Sequence, residues 1–244
     1  MEKSFDLVIV GGGCVGAATL YQIQKAYPQL HILLLEKEAE LAAHQTGHNS
    51  GVIHSGLYYK PGSLKAINCV NGRRELVKFA QEHNIAHDVC GKVVVATDES
   101  ELPHMEKIFQ NGIANDVEGV ERIDAARIKE IEPFVEGIAG IWVPCTGIID
   151  FVGATRKMAE LATGIQPKSE VHTAEEAVDF VTNESHTEVI TNKSTYKTRF
   201  LIVCGGLQAD RLAHKDDVKI KERVVGFRGD YYELSDQGKH KVKN

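Results

Sequence analysis

The chain has 244 residues, a formal net charge of −6, 43% hydrophobic and 25% charged residues. These values are ordinary for one large or two modest globular domains and exclude disorder, collagen and coiled coil. The acidic balance gives no global basic field for nucleic acid. No apolar run approaches the roughly 18 residues needed to span a bilayer. The N-terminus lacks the charged, apolar and cleavage regions of a signal peptide. Five scattered cysteines (Cys14, Cys69, Cys90, Cys145, Cys204) with no CxxC read as free thiols in a reducing compartment.

Phe5–Val10, FDLVIV, is an apolar run ending in glycines and reads as a buried parallel strand. Gly16, Leu20, Ile23 and Tyr27 then recur at helical spacing until Pro28, and His31–Glu36 is a second buried strand. Strand, Gly-rich turn, helix and strand within about thirty residues make a βαβ unit. Residues 40–60 form a polar Gly/His/Asn-rich stretch, long for a plain connector. Ser63 is placed to cap a helix whose buried stripe is Ala66, Val70, Val77 and Ala80.

Residues 91–97 read as a strand, Ser100 as the cap of a helix carrying Leu102, Met105 and Phe109, and Asp124 as the cap of a short helix ended by Pro133. Gly137–Pro144 reads as a strand, and Asp150 as the cap of a helix with Val152, Thr155, Ala159 and Ala162 inward. EAVDFVT, TEVITN and YKTRFLIVCGG read as a meander closing on a buried strand, Phe200–Cys204. GFRGDYYEL reads as a further strand and KVKN as the start of its return. A four-residue return strand is poorly stable, so the chain reads as part of a longer protein. The elements fall into two interleaved sets, with residues 87–149 and those after about 221 set apart from the rest. Arg73 and Arg74 read as a solvated helix face.

The strongest chemical signal is Gly11, Gly13 and Gly16 in VIVGGGCVGAAT. The first permits the tight turn, the second lets backbone approach a pyrophosphate, and the third lets helix pack on strand. The helix N-terminus presents amides and a positive dipole end to phosphates. Glu36, followed by Lys37, ends the next strand, where a carboxylate accepts hydrogen bonds from an adenosine ribose. Thr46, Asn49 and Ser50 suit phosphate, ribityl or ring edges, and equally suit turn formation. HQTGH has an i, i+4 histidine spacing but neither an acidic partner nor a predicted helix, so no metal site is read from it.

GGGCVGAATLYQIQK, LLLEKE, HQTGHNSGVIHSGLYYKPGSLKA, VCGKVVVAT, GIIDF, CGGLQADRLA and FRGDYYEL together resemble the FAD-dependent L-2-hydroxyglutarate oxidase/dehydrogenase family, from residue 5 to the end. The long His/Asn/Gly motif is the most specific. The resemblance implies an α/β fold: a Rossmann-like FAD-binding domain (1–86 and 150–220) interrupted by an α+β substrate domain (87–149 and 221–244). It implies oxidation of L-2-hydroxyglutarate to 2-oxoglutarate, with electrons passed to oxygen or a quinone chain. It leaves room for peripheral contact with the inner membrane by a cytoplasmic protein. Glycerol 3-phosphate or glycine as substrate, or a non-catalytic FAD-binding remnant, are the alternatives.

Within this resemblance His54 is the candidate base, since an imidazole can take the C2 hydroxyl proton; a structural histidine satisfied by backbone is the alternative. Tyr59 matches a tyrosine of the glycerol-phosphate relatives. Tyr58 and Tyr59 either close the substrate pocket or serve as core aromatics. Arg228 offers a bidentate partner for a substrate carboxylate, or is an exposed ion-pairing residue. Gly205 and Gly206 fall where such folds approach the FAD adenosine, and Ala177 where a backbone group meets adenine. Gly226 stands where such relatives usually have proline.

Overall fold

The computed structural model describes residues 3–215, 219–230 and 232–243. In chain order the elements are β1 (Lys3–Val10), α1 (Cys14–Ala26), β2 (Ile32–Leu35), β3 (Val52–Ile53), α2 (Leu64–Glu82), β4 (His87–Asp88) and β5 (Lys92–Ala96). There follow α3 (Leu102–Ala114), β6 (Glu121–Asp124), α4 (Ala125–Ile131), β7 (Ala139–Val143), β8 (Gly147–Ile149) and α5 (Phe151–Ile165). The last are β9 (Glu170–His172), β10 (Ala177–Thr182), β11 (Thr187–Thr191), β12 (Thr195–Val203) and α6 (Ala209–Lys215). They form two compact units, one of residues 1–49 and 151–229, the other of residues 50–150 and 230–244.

The first unit holds a six-stranded sheet in the order β10-β11-β12-β1-β2-β9. β12, β1, β2 and β9 run parallel, and β10, β11 and β12 form an antiparallel meander. Alternation splits the core: Leu7, Ile9, Ile32 and Leu34 pack with Leu20 of α1 and Ala162 of α5, while Val8, Val10, Leu33 and Leu35 pack with Phe180, Val189 and Tyr196. Both faces are buried, which explains why β1 and β2 read as continuous apolar runs. Gln24, fully buried on α1, donates to the carbonyls of Tyr27, Pro28 and Leu30 and so fixes the turn that ends the helix. One expectation needs correction. Phe200–Val203 pairs in register with Leu7–Val10 but is not fully buried, for Phe200 is 65% exposed. The cover that α1 and α5 give Leu7 and Ile9 does not extend to this neighbour.

In the second unit β5, β7 and β6 form an antiparallel sheet, and β3, β8 and β4 a small second one. Ile141 and Val143 of β7 pack with Leu57 and with Ile108 and Phe109 of α3. Ser63 caps α2 by accepting from the Ala66 amide at 3.2 Å, and Asp124 caps α4 through the Arg127 amide at 2.8 Å. Ser100 is not the cap of α3's leading turn. Asp98 takes that role, accepting from the Ser100 amide at 2.8 Å, because a carboxylate two residues earlier reaches the same orphan donors. Arg73 is not a solvated residue either: its side chain is 9% exposed and paired with Glu118.

GFRGDYYEL forms no strand among the described residues, and Tyr231 lies outside them. Its alternation is right, but no described strand offers it a ladder, and an extended segment needs a neighbour for its amides and carbonyls. Lys239–Lys241 is a 3-10 turn and not a returning strand. Asn244 lies outside the described residues.

Candidate active site

In the first unit the turn between β1 and α1 is held open by crowding that only glycine tolerates. Gly11 has φ +112°, and a Cβ there would run into the Cys204 carbonyl oxygen. A Cβ on Gly16 would run into the Gly11 carbonyl oxygen. The Cys204 amide donates to the Val10 carbonyl at 2.7 Å, which brings Gly205 beside the same turn. Gly206, at φ +53°, opens the 3-10 turn that leads to α6. α1 starts from Gly13, which has no side chain to cap it, and carries no acidic residue in its own first turn.

Two sequence-derived residues meet this turn. The Glu36 carboxylate is buried; one oxygen accepts from the Gly12 amide at 2.7 Å and the other from the Glu38 amide at 2.9 Å. Each oxygen keeps a lone pair for a ribose hydroxyl. Thr46 Oγ1 accepts from the Cys14 amide at 3.0 Å and lies 3.2 Å from where a Gly13 Cβ would stand. Asn49 turns inward on its own loop, donating to the carbonyls of Gln45 and Thr46 at 3.0 and 2.7 Å. Lys37 pairs with Glu38 at 2.7 Å and points along the surface. The crowded glycines, the helix end, Thr46 and Glu36 are the parts a dinucleotide diphosphate and ribose require, and these residues fit FAD.

Ala177 opens β10 opposite Thr191. The backbone that reaches the Glu36 strand end comes from just before it: the Glu175 amide donates to the Glu36 carbonyl at 2.9 Å and the Ala174 amide to the Glu38 carbonyl at 2.6 Å. Ala174 has φ +53°. Sequence reading missed the network behind this contact. Glu175, 4% exposed, accepts from Thr191 at 2.7 Å and Tyr196 at 2.8 Å, with His172 Nδ1 at 3.1 Å. Burial alone would raise the Glu175 carboxyl; its three donors outweigh that and hold it below the usual range. The Tyr196 phenol, buried against this carboxylate, is pushed up to about 12.

In the second unit His54 follows β3, its carbonyl accepting from Cys69 Sγ of α2 at 3.3 Å. Its side chain is exposed, and its ring makes no hydrogen bond among the described residues. Partial cover and the charge of Lys92 both lower its basicity. Lys92, missed in the sequence, places its ammonium 4.5 Å from the Tyr58 ring centroid and 3.5 Å from the Tyr58 hydroxyl. Tyr58 is half-exposed, which excludes it from the core. Tyr59 is partly buried, and its carbonyl accepts from Asn115 at 2.9 Å. Ser50 is exposed. Arg228, in the first unit, lies in a segment without helix or strand.

The family described as FAD dependent oxidoreductase matches residues 6–244. L-2-hydroxyglutarate dehydrogenase of Indibacter alkaliphilus is 41% identical over 243 residues, covering 98% of this chain and 60% of that one. The mitochondrial L-2-hydroxyglutarate dehydrogenase of Nematostella vectensis is 41% identical over 259 residues, covering 99% and 56%. The chain thus spans little more than half the length of these curated relatives. Among solved structures, the FAD-bound L-alpha-glycerophosphate oxidase of Mycoplasma pneumoniae superposes with a TM-score of 0.80 at 29% identity, over 87% of this chain and 57% of that one. Glycine oxidase of Geobacillus kaustophilus, at 17% identity and a TM-score of 0.77 over 88% and 59%, shares the fold. With its crowded glycine turn, the buried Glu36 carboxylate and its interrupted α/β architecture, the chain belongs to the FAD dependent oxidoreductase family.

Proposed function

We propose that the protein oxidises L-2-hydroxyglutarate to 2-oxoglutarate. The observation that carries this reading is the 41% identity to L-2-hydroxyglutarate dehydrogenase across 98% of the chain. In this reading residues 1–86 and 150–220 form the FAD-binding domain, and residues 87–149 and 221–244 belong to the substrate domain. The α1 terminus and Thr46 hold the diphosphate, Glu36 the ribose, and Gly205 and Gly206 admit the adenosine. FAD, when bound, supplies the hydride acceptor. An imidazole nitrogen of His54 takes the C2 hydroxyl proton; its lowered basicity keeps it unprotonated and ready near neutral pH. Tyr58 and Tyr59 flank the substrate, and Arg228 is a carboxylate partner. Oxygen or a membrane quinone accepts the electrons, and the five free cysteines suit a reducing, cytoplasmic compartment. Among the described residues no helix is long and apolar enough to cross a membrane.

A second reading, oxidation of glycerol 3-phosphate, is favoured by the likeness to glycerophosphate oxidase. Anaerobic mixing of the flavin-loaded protein with each acid separates them. Bleaching of the flavin absorbance by L-2-hydroxyglutarate and not by glycerol 3-phosphate or glycine supports the first reading. Bleaching by glycerol 3-phosphate alone replaces it with the second.

A further inference from the structure

We propose that Lys92 is the cation that receives a carboxylate of the substrate, with Tyr58 holding its ammonium in place. This rests on the reading of the substrate as a small dicarboxylate.

The placement of Lys92 is what singles it out. It is the first residue of β5 and pairs with Val143 of β7. By strand alternation Lys92 shares a sheet face with Val94, which registers opposite Ile141. Ile141 and Val143 belong to the apolar core against α3 and Leu57, with Val94 packed on it. A lysine is therefore set at the end of an apolar sheet face and half-buried there. Charged side chains in such places are ordinarily paired. Among the described residues no carboxylate pairs with Lys92. Its contacts are the Tyr58 hydroxyl at 3.5 Å and the Tyr58 ring at 4.5 Å. Arg73, on α2, also acts on Cys69 and Cys145, but it is paired with Glu118. Among the described residues Lys92 is thus a charge in this neighbourhood without an anionic partner.

Its surroundings suit a small anionic ligand. The ring of His54 is near enough for the Lys92 charge to act on it, and that ring has no protein partner among the described residues. Burial opposes the ammonium charge, with Cys69 and Cys145 alongside. A carboxylate arriving at Lys92 would meet a desolvated ammonium, where a charge-assisted hydrogen bond is strong. Tyr58 orients the cation through its ring face without neutralising it. An acidic neighbour in that position would have filled the site; a tyrosine leaves it open to an incoming acid.

The test is steady-state kinetics of the flavin-loaded protein and its Lys92→Met and Lys92→Arg variants. L-2-hydroxyglutarate is compared with L-2-hydroxypentanoate, which lacks the C5 carboxylate. Glutarate binding is measured in parallel by calorimetry. Lys92→Met is expected to raise KM for L-2-hydroxyglutarate, and Kd for glutarate, by roughly 10- to 100-fold. Lys92→Arg, keeping the charge, should restore most of that loss. A Lys92→Met penalty confined to the dicarboxylate assigns Lys92 to the C5 carboxylate; an equal rise in KM for both acids, with glutarate binding weakened, assigns it to C1. Unchanged KM and Kd in Lys92→Met overturn the inference while leaving the oxidation of L-2-hydroxyglutarate standing. Should Lys92→Met not fold, a Lys92→Arg protein with wild-type affinity beside a Lys92→Gln protein without it supports the inference. Equal affinities in those two overturn it. Absence of turnover in a wild-type protein that still binds glutarate through Lys92 refutes the proposed oxidation alone.

Discussion

Replacing Tyr196 by Phe probes the buried network that backs the Glu36 strand end. The phenol is 3% exposed and donates to Glu175 at 2.8 Å. Phe keeps the ring and removes the donor. A hydrogen bond to a charged group contributes about 1.5–3 kcal/mol. The phenol is pushed up from 10 to about 12, first by burial and then by its hydrogen bond to the Glu175 carboxylate. For a chain of this size the loss lowers Tm by roughly 3–10 °C. The sign with pH follows from a folded value above the unfolded one. The contribution is complete below pH 10 and fades as pH rises towards 12, so the wild-type advantage shrinks over that window. Urea unfolding at pH 7, 10 and 11.5 measures it. Tyr232→Phe is the matched control, since Tyr232 is 98% exposed, and should change nothing. Equal urea midpoints for Tyr196→Phe and Tyr232→Phe at pH 7 would refute the reasoning.

Five further outcomes are expected. His54→Asn should slow flavin reduction by about 10²–10⁴-fold, as removal of a general base does. Because a base must be unprotonated, kcat/KM should rise with pH through a value below the ordinary 6.5 of histidine, and Lys92→Met should move that limb upward; a limb that ignores Lys92 contradicts the assignment. Glu36→Ala removes the acceptor for the Gly12 and Glu38 amides and should weaken FAD retention roughly tenfold or more, read by fluorescence of released flavin. Gly16→Ala drives a methyl group into the Gly11 carbonyl and should cost about 1–3 kcal/mol in urea unfolding. Gly72→Ala, on exposed helix with open space around it, should instead gain about 0.4–1 kcal/mol.

The parts of the fold legible in sequence are those where local chemistry and tertiary demand coincide. Leu7–Val10 and Ile32–Leu35 are unbroken apolar runs because both faces of β1 and β2 are covered, and Gly16 is needed by a contact five residues away, with the Gly11 carbonyl. Ser63 and Asp124 announce their helices because a cap is a local hydrogen bond. GFRGDYYEL fails for the opposite reason: alternation describes a strand's faces but not its neighbour. Asp98 and Ser100 are both good caps, and sequence alone does not choose between them. Short strands such as β3 and β4 carry too few residues to show a period. Glu36 and the glycines stand out in sequence through the spacing of one βαβ unit, and Thr46 through the polar linker that follows it. Lys92 and Glu175 do not, because their significance lies in partners from distant strands. A lysine starting an apolar strand was the available signal, and its lack of a carboxylate emerges only in three dimensions.

The account turns on a dinucleotide seated at the amino end of α1, and the direct measurement is the cofactor released by denaturing the purified protein after its expression as a complete polypeptide. Chromatography of that supernatant should yield FAD in a one-to-one ratio with protein, and much less from the Gly16→Ala and Glu36→Ala variants. A colourless protein that takes up no FAD, or one that releases a nicotinamide dinucleotide in its place, would contradict it.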